Sequence, residues 1–166
     1  MTAASLPLQR IFLLRHAQAA WPAPGESDFD RALDDKGRIE ASVIAGLVAG
    51  HGYIADRVLC SGARRCRETA ETVTRAFGRD FPIKIAPELY HGMTDSYLAV
   101  IGAEKNAQSL MIVGHNPTIE ELMETLVGPD ATWSAISSGY PTAGFAVIDR
   151  ATGSETGWTL TEFLAP

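Results

Sequence analysis

The feature that most constrains the fold is an apolar run, Ile11 to Leu14, that ends in an arginine and a histidine. Four successive apolar residues are typical of a strand buried on both faces, as in the centre of a parallel sheet. Such a strand delivers Arg15 and His16 to its carboxyl end, where open α/β sheets bind their ligands. A charged pair is also a common solvated end of a strand, so a functional role needs support from other strands.

Length and composition predict an ordinary globular protein. At 166 residues the chain is long enough to bury one substantial core, and we expect a single domain over residues 1–166. The net charge of −6 argues against nucleic acid or an anionic membrane as a general partner. The N-terminal stretch MTAASLPLQR has too few apolar residues for a signal peptide, and no run approaches a membrane span. We therefore expect a cytoplasmic protein.

Strands and helices alternate through the first three quarters of the chain, which predicts βαβ units and a largely parallel sheet. The last quarter predicts an antiparallel hairpin. The fold class predicted is α/β, a three-layer α/β/α sandwich with a mostly parallel central sheet. Further predicted strands cover residues 57–60, 83–86, 109–113, 143–149 and 157–163, and predicted helices cover 34–49, 96–105, 118–127 and a segment that Ser61 caps and that reaches Phe77. Residues 17–35 are predicted to form a functional loop and 88–95 a second loop.

Three predicted strand ends carry side chains that suit one site. The first strand ends in Arg15 and His16, the second leads through Ser61 into Arg65, and the fourth ends at His115. Because the carboxyl ends of parallel strands meet at one edge of a sheet, we expect two imidazoles and two guanidiniums to share a pocket.

Such a pocket fits an anion better than a metal ion. Guanidinium groups repel a cation, whereas they bind phosphoryl oxygens in pairs, and helix starts nearby add N–H groups. An imidazole can attack phosphorus, and the remaining positive groups can stabilise the charge on the equatorial oxygens. No metal or other cofactor is expected. Cys60 and Cys66 lack zinc-site spacing and are expected to be reduced thiols.

Three motifs resemble those of the histidine phosphatase superfamily. LRHA, which ends at Ala17, resembles the RHG motif; Ser61 to Thr69 resembles SxxxRAxQT; and Val113 to Pro117 is VGHNP. DFDRALDDKG, residues 28–37, resembles the RPLTxxG stretch of small bacterial members. The resemblance implies a phosphoglycerate mutase-like fold and, within the superfamily, the SixA-like phosphohistidine phosphatases. The chain departs from the pattern at Ala17, where glycine is usual, and at Pro22, where other members have a phosphate-binding asparagine.

The resemblance also implies roles. His16 would be the nucleophile that carries the phosphoryl group, while Arg15, Arg65 and His115 would complete the phosphate pocket. Asn116, next in the VGHNP motif, is included among the substrate-binding residues. The neighbouring Arg64 and Arg67 have no counterpart in the motif and are expected at the rim of the pocket or in solvent.

The group that protonates the leaving group is not evident. Larger members use a glutamate after the third strand; here His91 is nearest to that place and Glu88 lies three residues before it. Asp28 and Asp30 of the long loop are further candidates. A poor proton donor suits good leaving groups, such as the imidazole of phosphohistidine or an acyl phosphate.

We therefore expect a metal-independent phosphohydrolase that acts through a phosphorylated His16, with a phosphohistidine-bearing protein as the first choice of substrate. Alternatives are a phosphatase of small phosphomonoesters or acyl phosphates and, from another class of protein, a phosphate-binding module of low turnover. A phosphoglycerate mutase is less favoured, because the chain is short and lacks the glutamate.

Overall fold

Six strands form one mixed sheet in the computed structural model, which describes residues 7–78 and 80–166. The strands are β1 (Arg10–Arg15), β2 (Arg57–Cys60), β3 (Ile83–Ile85), β4 (Ser109–Gly114), β5 (Phe145–Arg150) and β6 (Trp158–Leu164). Their order across the sheet is β3-β2-β4-β1-β5-β6. The first four strands are parallel and the last two form the antiparallel hairpin. The first six residues, which entered the argument against a signal peptide, lie outside the described chain.

Helices cover both faces of the sheet. They are α1 (Asp35–Gly50), α2 (Arg64–Arg75), α3 (Glu88–His91), α4 (Thr94–Ala103), α5 (Thr118–Val127) and α6 (Pro129–Ile136). One core cluster joins the sheet to α1 and α2, and a second joins it to α4, α5 and α6. The predicted three-layer sandwich with a mostly parallel sheet is therefore confirmed.

The apolar run of β1 lies at the centre of both cores. Phe12 and Leu14 pack into the cluster under α1 and α2, whereas Ile11 and Leu13 face the cluster under α5. All four are at most 1% exposed. Burial of each stabilises the fold by roughly 1.5 to 3 kcal/mol relative to exposure. The strand that carries Arg15 is thus a rigid base for the residues at its end.

The start of α2 differs from the prediction. The helix begins at Arg64, after Ala63, whose side chain makes no capping hydrogen bond. Ser61 was predicted to cap this helix, but its hydroxyl accepts from the N–H of Ala63 at 3.3 Å and pairs with His115 Nε2 at 2.8 Å. The side chain is therefore used by the site, and the helix starts two residues later than predicted.

Two further elements were not predicted. The segment Glu88–His91 is a short helix rather than part of a loop, and α4 starts at Thr94, two residues before its predicted start. The helix α6 was missed altogether. Gly128, with a φ of 88°, ends α5 and directly precedes Pro129, which is suited to the first turn of a new helix.

The long loop returns across the carboxyl edge of the sheet to the start of α1. Ala19 and Leu33 form an isolated antiparallel bridge, and residues 28–30 form one turn of 3-10 helix. Asp34 caps α1 by accepting the N–H of Gly37 at 2.7 Å. None of the helices within the described residues is long and apolar enough to cross a membrane.

Candidate active site

The three strand ends that carry the motifs are joined by main-chain hydrogen bonds. β4 lies between β1 and β2. The N–H of His16 donates to the carbonyl of Gly114 at 3.1 Å, and the N–H of Ser61 donates to that of Val113 at 3.0 Å. The sheet therefore brings the residues that follow all three strands to one edge, as the parallel arrangement predicts.

His16 is held in one orientation and one tautomer. Its Nδ1 lies 2.7 Å from the carbonyl oxygen of Ala17, which can only accept, so the hydrogen resides on Nδ1. Burial, and then the repulsion of a protonated His16 by Arg65, Arg15 and a protonated His115, lowers the pKa of His16 to about 3. The ring is therefore neutral near pH 7, and Nε2 carries a free electron pair.

Ala17, which replaces the usual glycine, fits its position without strain. The residue is fully buried, and Ala143 is the one non-glycine residue with a positive φ in the described chain. The N–H of Ala17 donates to Thr69 Oγ1 at 3.0 Å, and that hydroxyl donates to the carbonyl of Arg65 at 2.7 Å. Thr69, the last residue of the second motif, thus connects the His16 turn to α2.

Arg65 is buried and fixed by the long loop. Its Nη1 donates to the main-chain carbonyl of Asp28 at 2.7 Å, and its Nη2 donates to the carboxylate of Asp28 at 3.1 Å. The same Nη2 lies 3.4 Å from Nδ1 of His115. The residue is 7% exposed. A guanidinium restrained on one side by two bonds presents its other N–H groups in a defined direction.

Arg15 is held on the side of the site that Tyr140 forms. Its Nη1 donates to the carbonyl of Tyr140 at 2.6 Å, while its buried Nε has no partner. Burial lowers its pKa, and the negative charge of Glu120 opposes that shift. Asn116 donates to Glu120 at 3.1 Å and lines, with Arg15, an open groove of about 620 Å³. Asn116 is thus beside the arginine, with its buried Oδ1 unpartnered.

His115 is a second neutral imidazole next to the nucleophile. The rings of His16 and His115 are 5.3 Å apart between centroids. Burial, followed by the charge of Arg65, lowers the pKa of His115 to about 4. Ser61 Oγ is 2.8 Å from Nε2. Because Arg65 Nη2 can only donate, Nδ1 accepts its hydrogen bond, and Nε2 carries the hydrogen and donates to the hydroxyl oxygen of Ser61.

The two aspartates considered as proton donors occupy different places. Asp28 accepts hydrogen bonds from Tyr90 at 2.8 Å, from Arg31 at 2.9 Å and from Arg65. The Tyr90 bond, followed by those two arginines, holds the pKa of Asp28 well below its usual value, so this carboxylate stays ionised. Asp30 is exposed and accepts from Ser27 Oγ at 2.6 Å.

The other two candidate donors lie on α3. The ring of His91 is exposed and 4.0 Å from that of Tyr90, and the ring of Tyr90 is 5.8 Å from that of His115, so His91 lies toward the pocket. Glu88 is exposed and lines a separate cavity with Leu59 and Val100. The geometry therefore brings His91, but not Glu88, toward the pocket.

Several contacts of the site were not predicted. Tyr90 lies between the two α3 candidates and bonds to Asp28, and Glu120 accepts from Asn116 and from the N–H of Tyr140. No local pattern distinguishes these residues from ordinary helix residues. Arg64 pairs with Glu68 in solvent, as expected of a residue outside the pocket. Among the described residues, no group of three His, Cys, Asp or Glu side chains is arranged to hold a metal ion.

Comparison with known proteins places these motifs in one family. The family model of the histidine phosphatase superfamily (branch 1) matches residues 11–91. Phosphohistidine phosphatase SixA from Escherichia coli is 30% identical over 137 residues, which cover 78% of this chain and 83% of SixA. A structure assigned as phosphohistidine phosphatase SixA from Agrobacterium tumefaciens is 45% identical, with a TM-score of 0.89, and the match covers 97% of this chain and 100% of that one.

A structure of SixA in complex with tungstate shares the fold, with a TM-score of 0.73 at 23% identity over 95% of this chain and 97% of that one. The similarity therefore extends over nearly the whole chain, including the hairpin and α6, which lie beyond the residues matched by the family model. The chain is a phosphatase that belongs to the histidine phosphatase superfamily, on its SixA-like branch.

Proposed function

We propose that this phosphatase hydrolyses phosphohistidine on protein substrates, through a covalent phosphoryl group on His16. The observation that carries the proposal is the tautomer of His16: Nδ1 is bonded to the carbonyl of Ala17, so Nε2 is the free nucleophile among Arg15, Arg65 and His115. The SixA proteins that resemble this chain support the choice of substrate.

The proposed reaction has two steps. In the first, the electron pair of His16 Nε2 forms a bond to phosphorus while the bond from phosphorus to the leaving nitrogen breaks, and that nitrogen keeps the bonding pair. In the second, a water oxygen attacks the phosphorus, loses its proton to solvent or a nearby base, and the Nε2–P bond breaks. Inorganic phosphate leaves and His16 is restored. Arg15, Arg65 and His115 stabilise the equatorial oxygens in both steps.

The state of Asp28 favours a phosphohistidine over an alkyl ester. The ionised carboxylate has no proton to donate, and its oxygens already accept bonds from Tyr90, Arg31 and Arg65. A phosphohistidine ring that is protonated at its distal nitrogen leaves as neutral imidazole and needs no acid at the breaking bond. An alkoxide requires one, because it is a far stronger base.

The open groove beside Arg15 supports a substrate larger than a metabolite. Its lining includes Asn116, the loop residues Ser138 and Pro141, and Phe163 of β6. The groove has both polar and apolar lining and begins at an arginine of the phosphate pocket. A chain segment next to a phosphorylated side chain can therefore lie in it. The cytoplasmic location stays a prediction from the sequence, and a role in signal transduction is a prediction that follows from a phosphohistidine protein as the substrate.

The experiment that tests the proposal compares kcat/KM for a phosphohistidine protein with values for acetyl phosphate and a panel of alkyl phosphates, in metal-free buffer with a chelator. We expect fast release from phosphohistidine, slow alkyl turnover and a phosphoenzyme trapped by rapid acid-free quenching. Efficient alkyl turnover would move the substrate to small phosphomonoesters. Tight vanadate binding without turnover of any substrate would instead identify a binding module.

A further inference from the structure

A row of aromatic rings leads from the nucleophile to the surface. The ring of His16 is 5.3 Å from that of His115, which is 5.8 Å from that of Tyr90. Tyr90 in turn contacts Phe29 at 4.9 Å and His91 at 4.0 Å between centroids. We name Phe29, Tyr90 and His91 the aromatic wall. Phe29 is 37% exposed and His91 is exposed, so the wall is open to an incoming molecule.

The wall is fixed to the phosphate pocket by polar bonds. The hydroxyl of Tyr90 donates to Asp28 at 2.8 Å, and the same carboxylate oxygen accepts from Arg65 at 3.1 Å. The position of the Tyr90 ring is therefore coupled to the arginine expected to bind the phosphoryl group. Burial and the Asp28 bond raise the pKa of Tyr90, so the ring stays neutral and does not repel a phosphoryl dianion.

The ring of Phe29 packs closely against the main chain of Gly62. A Cβ added to Gly62 would lie 2.9 Å from Cζ of Phe29, so the ring rests directly on the backbone of the turn before α2. The ring edge also meets Tyr90 at an interplanar angle of 84°. Contacts of this kind hold the face of an aromatic side chain in place, although more than a third of it is exposed.

The aromatic wall lies beside the phosphate pocket, where a leaving group can reach it. Reacting atoms stand about 3 to 3.5 Å apart before attack, so a leaving ring lies one phosphoryl group beyond His16. The ring of His115 contacts the rings of both His16 and Tyr90, so the aromatic wall borders the pocket on the side of His115. A planar leaving group that extends toward this side can stack against Tyr90 or Phe29, since aromatic pairs prefer separations of about 4.5 to 7 Å.

We propose that the aromatic wall binds the planar ring of the leaving group, and so selects phosphorylated rings over phosphoryl groups on flexible or ringless carriers. This inference rests on the proposed function, in which the ring is the imidazole of phosphohistidine. Tyr90 and Phe29 are then specificity residues, which act on the second half of the substrate and not on the oxygens of the phosphoryl group.

Two matched pairs of substrates test the wall. A phosphohistidine peptide is compared with phosphoramidate, which has a P–N bond but no ring, and p-nitrophenyl phosphate is compared with acetyl phosphate, a good leaving group without a ring. For each pair the ratio of kcat/KM is measured in the wild type, Tyr90→Leu, Tyr90→Phe and Phe29→Leu. Trp133→Leu is the control, because it removes an exposed aromatic residue of α6.

We expect Tyr90→Leu and Phe29→Leu each to lower the ratio of ring to ringless substrate by about 3- to 10-fold in both pairs. Tyr90→Phe keeps the ring and is expected to keep the ratio, although the lost bond to Asp28 lowers kcat/KM for all substrates. Trp133→Leu is expected to keep the wild-type ratio. Unchanged ratios in both leucine variants would overturn the inference.

The outcomes separate this inference from the proposed function. If the wild type hydrolyses p-nitrophenyl phosphate but not phosphohistidine, the proposed function fails, while the second pair still measures selection for a ring. If phosphohistidine is hydrolysed but neither leucine variant changes the ratios, the proposed function stands and the wall is only structural. Circular dichroism and thermal unfolding confirm that each variant is folded before its ratios are compared.

Discussion

The carbonyl oxygen of Ala17 lies 2.7 Å from Nδ1 of His16 and so determines which nitrogen of that ring carries the electron pair. The contact is made by the residue that departs from the family motif, but it uses the main chain, which alanine and glycine share. Because Ala17 is not among the residues with positive φ, the substitution leaves this geometry available. The departure is therefore compatible with a working nucleophile.

Replacement of His16 by asparagine is expected to abolish the phosphoenzyme and lower kcat/KM by at least ~10³-fold, because no other side chain offers the nucleophile. The fold should be retained, since His16 follows β1 and lies outside the core clusters. The measurement is turnover of an aryl phosphate, with ³²P trapping on the protein. Labelling of the variant at wild-type levels would assign the phosphoryl group to another residue.

The two partly buried histidines of the site are expected to make stability depend on pH. In the unfolded chain their pKa is about 6.5, whereas in the fold it is about 3 for His16 and about 4 for His115. The unfolded chain binds more protons below pH 6.5, so the free energy of unfolding falls as pH is lowered from about 6.5 toward 4. Each histidine contributes up to about 1.4 kcal/mol per pH unit in that window.

His16→Asn removes one of these groups and tests the effect. Between pH 4.5 and 6 the slope of the unfolding free energy should become shallower by about 1 kcal/mol per pH unit, whereas above pH 7 the two slopes should agree. Urea denaturation at a series of pH values measures both. Equal slopes below pH 6 would mean that His16 titrates alike in the folded and unfolded chains.

Asp28→Asn is expected to lower kcat/KM about 10-fold for every leaving group. The substitution weakens the hydrogen bond through which the Asp28 carboxylate holds Arg65, and it removes no proton donor. Loss of a general acid instead slows poor leaving groups most. A series of aryl and alkyl phosphates with leaving groups of rising pKa distinguishes the two. A loss that grows along the series would show that Asp28 supplies the proton. The matched variant His91→Gln applies the same criterion to the candidate of α3 that lies toward the pocket.

The sequence was sufficient to predict the strands of the sheet and the residues at their ends. Each strand is recognised from an apolar run in one short stretch of sequence, and the residues at its end follow directly in the chain. The run before Arg15 is apolar at every position, and the structure buries all of it. Contacts between distant segments could not be predicted in this way. The bonds of Asp28 to Arg65 and Tyr90 join residues 37 and 62 positions apart, and no periodicity in either segment encodes them.

The prediction for Ser61 was wrong for a related physical reason. A serine before a helix is usually a cap, but here the hydroxyl pairs with His115, which is 54 residues away, and the helix begins only at Arg64. The helix α6 carried a local signal, the Gly128 and Pro129 pair, which was not used. His91 and Glu88 were candidate proton donors by their place after the third strand, and Asp28 and Asp30 as residues of the long loop. The ionised state of Asp28, however, depends on neighbours that only the fold supplies.

Both cysteines are expected to be unreactive in the folded protein. Cys60 and Cys66 are fully buried, and burial raises the pKa of Cys66 to about 12. The thiolate, which is the reactive form, is then scarce at neutral pH. Ellman's reagent should label neither thiol in the native state and both in urea. Rapid labelling in the native state would show that the segment around Cys66 opens.

Two glycines of α1 give a matched test of how the long loop is held. A Cβ at Gly37 would lie 1.9 Å from the carbonyl oxygen of Gln18, whereas a Cβ at Gly46 has nothing within 4 Å. Gly46→Ala should stabilise the helix by roughly 0.5 to 1 kcal/mol and leave kcat/KM unchanged. Gly37→Ala should lower the free energy of unfolding by about 1 to 3 kcal/mol, because the main chain must move to admit the methyl group.

The loop that moves carries Asp28, so kcat/KM of Gly37→Ala should fall as well. Urea unfolding and aryl phosphate turnover of both variants measure this, and a Gly37→Ala protein as stable and active as Gly46→Ala would show that the close approach of Gln18 is not required.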